Sequence, residues 1–222
     1  MTDAHCHVSC GDPAVRELLV GRDFFGVHPW ETLDAAAGGI DLPALRAKLL
    51  ANPGAGVGEI GLDRLKTRDI PPLMREVFEA QLALAIELHR PVVLHGAKCW
   101  GQVVKAVVRA NAAGGGGSGF LFHGFSRSDG LIPDIVNLGG FISVGPAVLN
   151  DHAVNYRELV KKIPLDRLLV ETDRTDGKGE SGVSIQDVLV KTAELRGLSA
   201  GELERITDKN AEQMLFRPCH SV

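Results

Sequence analysis

The sequence predicts an α/β protein, with residues 1–222 forming a single domain of the TIM-type β/α barrel class. Short apolar runs rich in β-branched residues alternate with amphipathic stretches, the pattern of repeated βα units around a parallel sheet. Most of these runs lack polar alternation, as expected of strands that are covered on both faces. A chain of 222 residues is long enough for one such barrel, and we find no domain boundary or internal repeat within it.

The strand candidates follow one another along the chain with turn residues between them. Each is a short apolar run, and several end in a histidine or a carboxylate. Seven strands are predicted, namely Met1–His7, Asp23–His28, Gly56–Leu62, Pro91–Gly96, Gly119–Phe125, Gly140–Gly145 and Arg167–Asp173.

Helical signals fill the gaps between these strands. Asp12 resembles an N-cap before the proline that opens a predicted helix over Pro13–Val20. Ser199 and Glu202 form a capping box for a helix that runs towards Phe216. A long helix with one buried face is predicted by apolar residues at helical spacing, namely Met74, Val77, Phe78, Leu82, Ala85 and Leu88.

The composition limits the classes of function. A net charge of −4 argues against a basic surface that coats nucleic acid, but a nuclease could still hold a strand end beside bound cations. We expect no membrane partner, because no apolar run reaches the length of a membrane helix and the N-terminus lacks a secretion signal. Gly114–Gly119 lacks the ending of a phosphate-binding loop and is interpreted as a connector. Reduced thiols in the cytoplasm are expected of the cysteines, Cys6, Cys10, Cys99 and Cys219.

The first chemical clue is the segment His5-Cys6-His7. Residues two apart on a strand point to the same face, so both imidazoles would project together while Cys6 points away. Two adjacent imidazoles form half of a site for zinc or a similar metal. By itself the pair is a weak signal, because most neighbouring histidines are surface or core residues.

Four further residues support a metal site. Glu59 lies among small and apolar neighbours, where an unpaired carboxylate would be costly to bury. His95, His123 and Asp173 each lie at the end of a predicted strand. Because barrel active sites are built at the carboxyl ends of the strands, these side chains are expected to converge with the two N-terminal histidines.

The order of the motifs along the chain identifies a family resemblance. The segments that carry it are Asp3-Ala4-His5-Cys6-His7, Gly26-Val27-His28-Pro29, Gly58-Glu59-Ile60-Gly61-Leu62-Asp63, Val93-Leu94-His95, Phe122-His123-Gly124-Phe125-Ser126, Phe141-Ile142-Ser143-Val144-Gly145 and Glu171-Thr172-Asp173. In these segments, which span nearly the whole chain, the sequence resembles the TatD family of metal-dependent deoxyribonucleases, within the wider amidohydrolase-type barrels.

The resemblance implies one or two divalent metal ions and hydrolysis of nucleic-acid phosphodiesters, often from the 3′ end. Zinc, magnesium and manganese are all compatible with it. The implied substrate is single-stranded DNA at its ends, and no obligate protein partner is inferred. One metal would be bound by His5, His7 and Asp173, the other by His95 and His123, with Glu59 bridging them.

The roles expected of these residues follow from metal-hydroxide chemistry, in which a water loses its proton near neutral pH and attacks phosphorus in line. Asp173 is the candidate to orient that water and accept its proton. Glu59 is the second catalytic candidate, as it would neutralise and bridge the metals. His28, at its strand end, is predicted to contact substrate phosphate or orient a ligand, although a structural hydrogen-bonding role fits equally well.

Other residues at strand ends carry weaker signals. Lys98, Arg127 and Arg174 could each meet a phosphate, but a solvated loop charge is the plainer interpretation of each. Trp30 and Trp100 could stack on bases, although packing of loops at the barrel rim is the plainer interpretation.

The sequence departs from the family pattern in three places. The stretch between His7 and Gly26 is too short for the usual strand and helix, so the barrel is expected to have seven strands or an eighth that the sequence does not reveal. The segment Arg174-Thr175-Asp176 stands where the family usually has Ala-Pro. Gly96-Ala97-Lys98 stands where Ser-Arg is more usual, so phosphate contacts are expected to differ.

Two other classes of function remain open at this point. An amidohydrolase-type enzyme acting on a small amide, lactone or phosphoester would use the same metal chemistry, since the fold does not determine which bond is cut. A carboxylate at Glu59 favours the TatD resemblance, because many of those relatives have a modified lysine there. A non-catalytic metal-binding protein on an inherited barrel would be expected to lack a ligand, and none of the six is missing.

Overall fold

The computed structural model describes residues 1–34, 40–114, 119–175 and 182–216. Eight parallel strands lie within these ranges and follow the barrel order predicted from the sequence. They are β1 (Thr2–Cys6), β2 (Arg16–Leu19), β3 (Phe24–Phe25), β4 (Gly56–Asp63), β5 (Val92–Ala97), β6 (Phe120–Phe122), β7 (Phe141–Val144) and β8 (Leu168–Val170).

Helices connect these strands on the outside of the sheet. Short 3₁₀ turns occur at Asp129–Leu131, Pro146–Leu149 and Leu165–Arg167. The α-helices of the described residues are α1 (Glu31–Asp34), α2 (Leu42–Ala51), α3 (Pro72–Glu87), α4 (Trp100–Gly114), α5 (Ile132–Asn137), α6 (Val154–Lys162), α7 (Ile185–Arg196) and α8 (Ala200–Leu215).

The barrel is closed at two places by contacts other than a regular strand ladder. Strands β3 to β8 form one ladder and β1 pairs with β2, while a single parallel bridge from Val20 to Phe24 joins the two sheets. Between β8 and β1, the Asp3 carboxylate accepts hydrogen bonds from the Thr172 backbone N–H at 2.9 Å and from its hydroxyl at 2.6 Å. Asp173 N donates to the His5 carbonyl at 3.0 Å, so the β8 end is fixed to β1.

The predicted helix over Pro13–Val20 is wrong, because this segment contains β2. Asp12 does form the local turn that its sequence suggests, accepting a hydrogen bond from Ala14 N at 2.9 Å. The chain then becomes extended and pairs with β1, with Thr2 opposite Arg16. Pairing with a distant strand overrides the local capping signal. The eighth strand is therefore present, and within residues 7–15 no helix precedes it.

The two other predicted helices are confirmed. Ser199 and Glu202 form the reciprocal capping box at the start of α8. The predicted face of α3 is buried, with Leu88 partly buried just beyond its end. Of the remaining sequence-based interpretations, residues 115–118 of the glycine-rich connector, Asp176 and Cys219 lie outside the described residues.

The apolar side chains form an outer layer and a plug at one end of the barrel. The larger cluster lies between the strands and the surrounding helices. The smaller cluster joins Ala211 and Met214 of α8 to residues at or near the start of several strands, such as Phe24, Val93 and Leu169. Helix α8 therefore closes the amino-terminal end of the barrel, which leaves the carboxyl ends of the strands open. Among the helices of the described ranges, none combines the length and apolar character that crossing a bilayer requires.

Candidate metal centre

The structure brings all six predicted metal ligands together at the open end of the barrel. His5 lies in β1 and His7 follows it, Glu59 lies in β4, and His95 lies in β5. His123 follows β6 directly, and Asp173 lies three residues beyond β8. Three overlapping groups have ligand atoms close enough to hold an ion: His5 with His123 and Asp173, His5 with His7 and Glu59, and His28 with Glu59 and His95.

Glu59 lies at the centre of this arrangement. Its side chain is 3% exposed, and its two oxygens contact imidazoles from five histidines. Oε1 lies 2.6 Å from His95 Nδ1, 2.6 Å from His123 Nε2 and 3.4 Å from His28 Nε2. Oε2 lies 3.3 Å from His5 Nε2 and 3.2 Å from His7 Nε2. The carboxylate is thus placed between two groups of nitrogen donors.

His5 provides a direct test of whether the residues fit a metal. It is fully buried, and neither ring nitrogen forms a hydrogen bond within the described part of the chain. Its Nε2 instead lies 3.5 Å from Asp173 Oδ1, and His7 Nε2 lies at the same distance from that oxygen. A buried polar group without a hydrogen bond is costly. Imidazole nitrogens and carboxylate oxygens are the donors that zinc and similar divalent ions accept, so the set fits such an ion.

His28 differs from the other histidines in its hydrogen bonds. The backbone N–H of Trp30 donates to its Nδ1 at 3.1 Å, which leaves the proton of a neutral ring on Nε2. An imidazole in this state donates from Nε2 and has no free lone pair for a metal. Although its position lies within one of the possible metal groups, its hydrogen bonding favours contact with an anion.

Asp63 is a functional candidate that the sequence analysis missed. Its Oδ2 accepts hydrogen bonds from His95 Nε2 at 2.9 Å and from the Trp30 indole N–H at 2.8 Å. With the ring proton fixed on Nε2, His95 keeps the lone pair of Nδ1 directed at the centre. The signal was present in the sequence, because residues four apart on one strand, here Glu59 and Asp63, share a face.

Glu171 is a second missed residue. It is 1% exposed and accepts a hydrogen bond from the backbone N–H of Gly124 at 2.7 Å and another from the Ser143 hydroxyl. Its Oε1 lies 3.6 Å from His123 Nδ1. It lies two residues before Asp173, and this spacing would have suggested a related place in the site.

Arg174 is neither a solvated loop charge nor, on this geometry, a phosphate contact. Its side chain is 10% exposed and its guanidinium lies 3.8 Å from Glu17 Oε1. Its carbonyl accepts hydrogen bonds from the backbone N–H groups of His7 at 2.8 Å and Val8 at 3.1 Å. The loop after β8 therefore packs against the short β1–β2 connection, and two of the three departures from the family pattern meet beside His7 and Asp173.

The electrostatics of the cluster favour a negatively charged Glu59 next to protonated histidines. Burial by itself would raise the pKa of Glu59, but the neighbouring histidines, His123 foremost, hold it well below its usual value. Burial opposes a charged His123, yet Glu59 and Glu171 raise its pKa well above the ordinary value. Hydrogen bonds to Asp173 and Glu59 raise the pKa of His7 to about 9. Protons and a divalent ion therefore compete for the same imidazole nitrogens.

Two clefts open from the centre. The larger has a volume of about 1030 Å³ and lies towards α6, and the smaller has a volume of about 660 Å³ and lies towards the start of α4. Residues common to both walls are Gly124, Ser126, Arg127 and Asp173. An extended substrate could thus pass the centre on either side of Arg127.

The two tryptophans have different environments. Trp100 is 4% exposed and packs against Phe122 and Phe125, so packing explains it. Trp30 is 39% exposed, and its ring stands edge to face with His28 at a centroid distance of 5.0 Å. Base stacking on Trp30 stays a prediction.

The contacts of Asp63 lead to a prediction for Asp63→Asn. We expect metal affinity to fall by about 10–100-fold, the usual cost of losing a group that orients a metal-binding histidine. Trp30 fluorescence should also shift, because the indole N–H loses a charged acceptor. Metal titration together with emission spectra would measure both effects. Asp69→Asn, an exposed change in the same β4–α3 connection, serves as the control, and unchanged affinity in Asp63→Asn would remove its orienting role.

Comparisons with known proteins agree with this architecture. The sequence profile of the family described as TatD related DNase matches residues 21–216. Over 212 residues the chain is 30% identical to the uncharacterized metal-dependent hydrolase YabD of Bacillus subtilis, covering 90% of this chain and 81% of that protein. It is 29% identical over 210 residues to the 3'-5' ssDNA/RNA exonuclease TatD of Edwardsiella piscicida, covering 86% and 76% respectively.

Solved structures show the same fold. The crystal structure of YJJV, a TatD homologue from Escherichia coli, matches with a TM-score of 0.72 at 26% identity, over 93% of this chain and 78% of that one. A TatD-family hydrolase from Entamoeba histolytica matches with a TM-score of 0.71 at 20% identity, over 91% of this chain and 76% of that one.

Proposed function

The chain belongs to the TatD related DNase family of metal-dependent hydrolases, and on that premise we propose that it is an exonuclease that cuts single-stranded DNA from an end. The proposed cofactor is one or two divalent metal ions, with zinc, magnesium and manganese as candidates. The relative named as a 3'-5' ssDNA/RNA exonuclease supports this choice of substrate. Free thiols at Cys6, Cys10 and Cys99 support a reducing cytoplasmic environment, and residues 1–222 are proposed to act as one domain.

The observation that carries the proposal is the carboxylate of Glu59 within reach of five imidazoles. Its two oxygens face different donor groups, with His95 and His123 on Oε1 and His5 and His7 on Oε2. Asp173 Oδ1 adds an oxygen beside the second group. In this arrangement, His5, His7 and Asp173 would hold one ion, His95 and His123 would hold the other, and Glu59 would bridge them.

A divalent ion bound there would supply a water of lowered pKa and positive charge for the phosphoryl oxygens. The residues of the chain supply the rest of the chemistry. Asp173 is 45% exposed and opens onto both clefts, so its free carboxylate oxygen can orient the attacking water and accept its proton. His28 presents an Nε2 proton towards the centre and is proposed to donate it in a hydrogen bond to the substrate phosphate.

The function is tested by purifying the full chain, removing metal, and adding back magnesium, manganese or zinc. Substrates are single-stranded DNA labelled at either end, RNA, a small phosphodiester, and a panel of amides and lactones. We expect metal-dependent shortening of single-stranded DNA from its 3′ end. Turnover of an amide or lactone with no cleavage of either nucleic acid would instead identify the amidohydrolase alternative.

Metal binding is expected to weaken as the pH falls. The pKa of His7 is raised to about 9, so a metal that binds this ring at pH 7 must displace a proton. Below that pKa, each displaced proton lowers apparent affinity about tenfold per pH unit. Metal titrations at pH 6, 7 and 8 measure the slope. His7→Gln should reduce the slope by one proton, whereas an affinity that is constant over this range would contradict the competition.

A further inference from the structure

Two cations at the mouth of the smaller cleft have no described partner of their own. We propose that Lys98 and Arg127 bind the backbone phosphate next to the scissile one, so that the smaller cleft holds the polynucleotide chain. This inference rests on the proposed function. It explains how the site would prefer a polynucleotide to an isolated phosphoester. Both residues line the cleft together with His95, His123 and Asp173, so the cleft connects these two cations with the candidate metal centre.

The charges of the smaller cleft favour an anionic ligand. Lys98 and Arg127 are exposed and form no ion pair or side-chain hydrogen bond in the described part of the chain. Asp173 is the acid among the residues that line this cleft, and it belongs to the metal centre. A phosphate there meets two cations whose charge no described carboxylate offsets, so its binding displaces no existing ion pair.

The larger cleft has a different balance of acidic and basic side chains. Its walls include Asp129, Glu158 and Glu171. Lys162 on the same wall is already bound to Asp129 through a short ion pair. Glu158 is likewise paired with Lys161, and Glu171 is buried and hydrogen-bonded to Gly124. Among the described residues of this wall, the cation without an ion pair is Arg127, which both clefts share, whereas the smaller cleft adds Lys98. Between the two clefts, the smaller one therefore fits the chain better.

The remaining walls of the smaller cleft suit a nucleotide. The first turn of α4 borders it at Trp100 and Gly101, and a helix N-terminus carries partial positive charge that favours phosphate. A side chain added at Gly101 would meet open space, so a ligand can approach the backbone here. Leu65, which is 57% exposed, adds an apolar surface for a sugar or base.

Arg174 does not share this role, although the sequence grouped it with the other two cations. Its guanidinium is buried against Glu17, and it is absent from the described walls of both clefts. The structure thus distinguishes Lys98 and Arg127, which form no ion pair in the described part of the chain, from Arg174, which pairs with Glu17. We therefore expect Lys98 and Arg127, and not Arg174, to contribute to phosphate binding.

The salt dependence of binding tests the proposal without relying on catalysis. The full chain is titrated into a fluorescently labelled oligothymidylate in EDTA, and anisotropy is measured over a series of salt concentrations. Each phosphate contact on a single strand contributes about 0.7 to the slope of log affinity against log salt. Because both cations bind the same phosphate, we expect the double variant Lys98→Gln/Arg127→Gln to reduce that slope by about 0.7, and each single variant by part of that amount.

Matched controls remove one charge elsewhere. Lys105→Gln, on the exposed side of α4, and Arg205→Gln, on α8, lie outside the smaller cleft and should leave the slope unchanged. Lys98→Arg and Arg127→Lys keep the charge and should retain most of the slope. In the metal-loaded enzyme, the Gln variants should raise KM for the oligonucleotide more than KM for bis(p-nitrophenyl) phosphate, because that substrate has no second phosphate.

The outcomes separate this inference from the proposed function. An unchanged salt slope in the double variant, in a protein that still cleaves DNA, would overturn the phosphate contact alone. Salt-dependent binding that these substitutions weaken, without any cleavage by the metal-loaded protein, would support the contact and reject the nuclease. A metal-loaded wild-type chain that neither binds nor cleaves the oligonucleotide would overturn both.

Discussion

Asp173→Asn is expected to lower the rate of single-turnover cleavage of single-stranded DNA by about 10²–10⁴-fold, the usual range for loss of a general base. The substitution keeps one oxygen that can bind a metal but removes the ability to accept a proton from the attacking water. That second role exists only on the way to the transition state, so turnover should suffer more than substrate binding.

The backbone conformation at Asp173 should be unchanged by this substitution. Its φ of 49° lies in the left-handed region, which asparagine tolerates as well as aspartate. The hydrogen bond from its backbone N–H to the His5 carbonyl does not involve the side chain and should remain. Loss of rate therefore cannot be attributed to a new backbone conformation.

Metal titration before the kinetic measurement separates the two roles of Asp173. The variant is assayed at a metal concentration that saturates it, with Asp166→Asn as the control, because Asp166 is 72% exposed and lies before β8. Near-normal cleavage by the metal-loaded Asp173→Asn protein would remove Asp173 from proton transfer and leave it as a ligand at most.

Glu59→Gln is expected to have the largest effect on metal binding. The carboxylate faces five histidines. The amide would bring N–H groups towards the four rings other than His28, which must offer lone pairs to a metal. We expect a loss of affinity well beyond the roughly 10–100-fold typical of groups that only orient a ligand. Cleavage should fall with it.

The fold should survive this change, because Glu59 belongs to neither apolar cluster of the barrel. Metal content after dialysis, circular dichroism and activity are measured on the same preparation. Glu76→Gln removes a charge from the exposed side of α3 and is the matched control. A Glu59→Gln protein with full metal content would show that Glu59 does not bridge the ions.

The sequence by itself determined where the chemistry lies along the chain. A barrel directs the carboxyl ends of its parallel strands to one mouth, so the positions of His5, Glu59, His95 and His123 in the strand pattern were enough to predict that they converge. The structure brings these side chains together around Glu59. The two capping-box residues of α8 were also predictable, because both partners lie within one helical turn.

The tertiary structure decided what depends on residues far apart in the chain. The segment Arg16–Leu19 has a local signal for helix, yet it forms a strand because β1 is available to pair with it. The proton position on His95 follows from Asp63, which lies 32 residues earlier on the neighbouring strand. Arg174 is not available to bind substrate, because it pairs with Glu17 on a strand more than 150 residues earlier. Strand pairing, tautomer and ion pairing are set by neighbours in space, and local propensity carries no information about which neighbours the fold will bring.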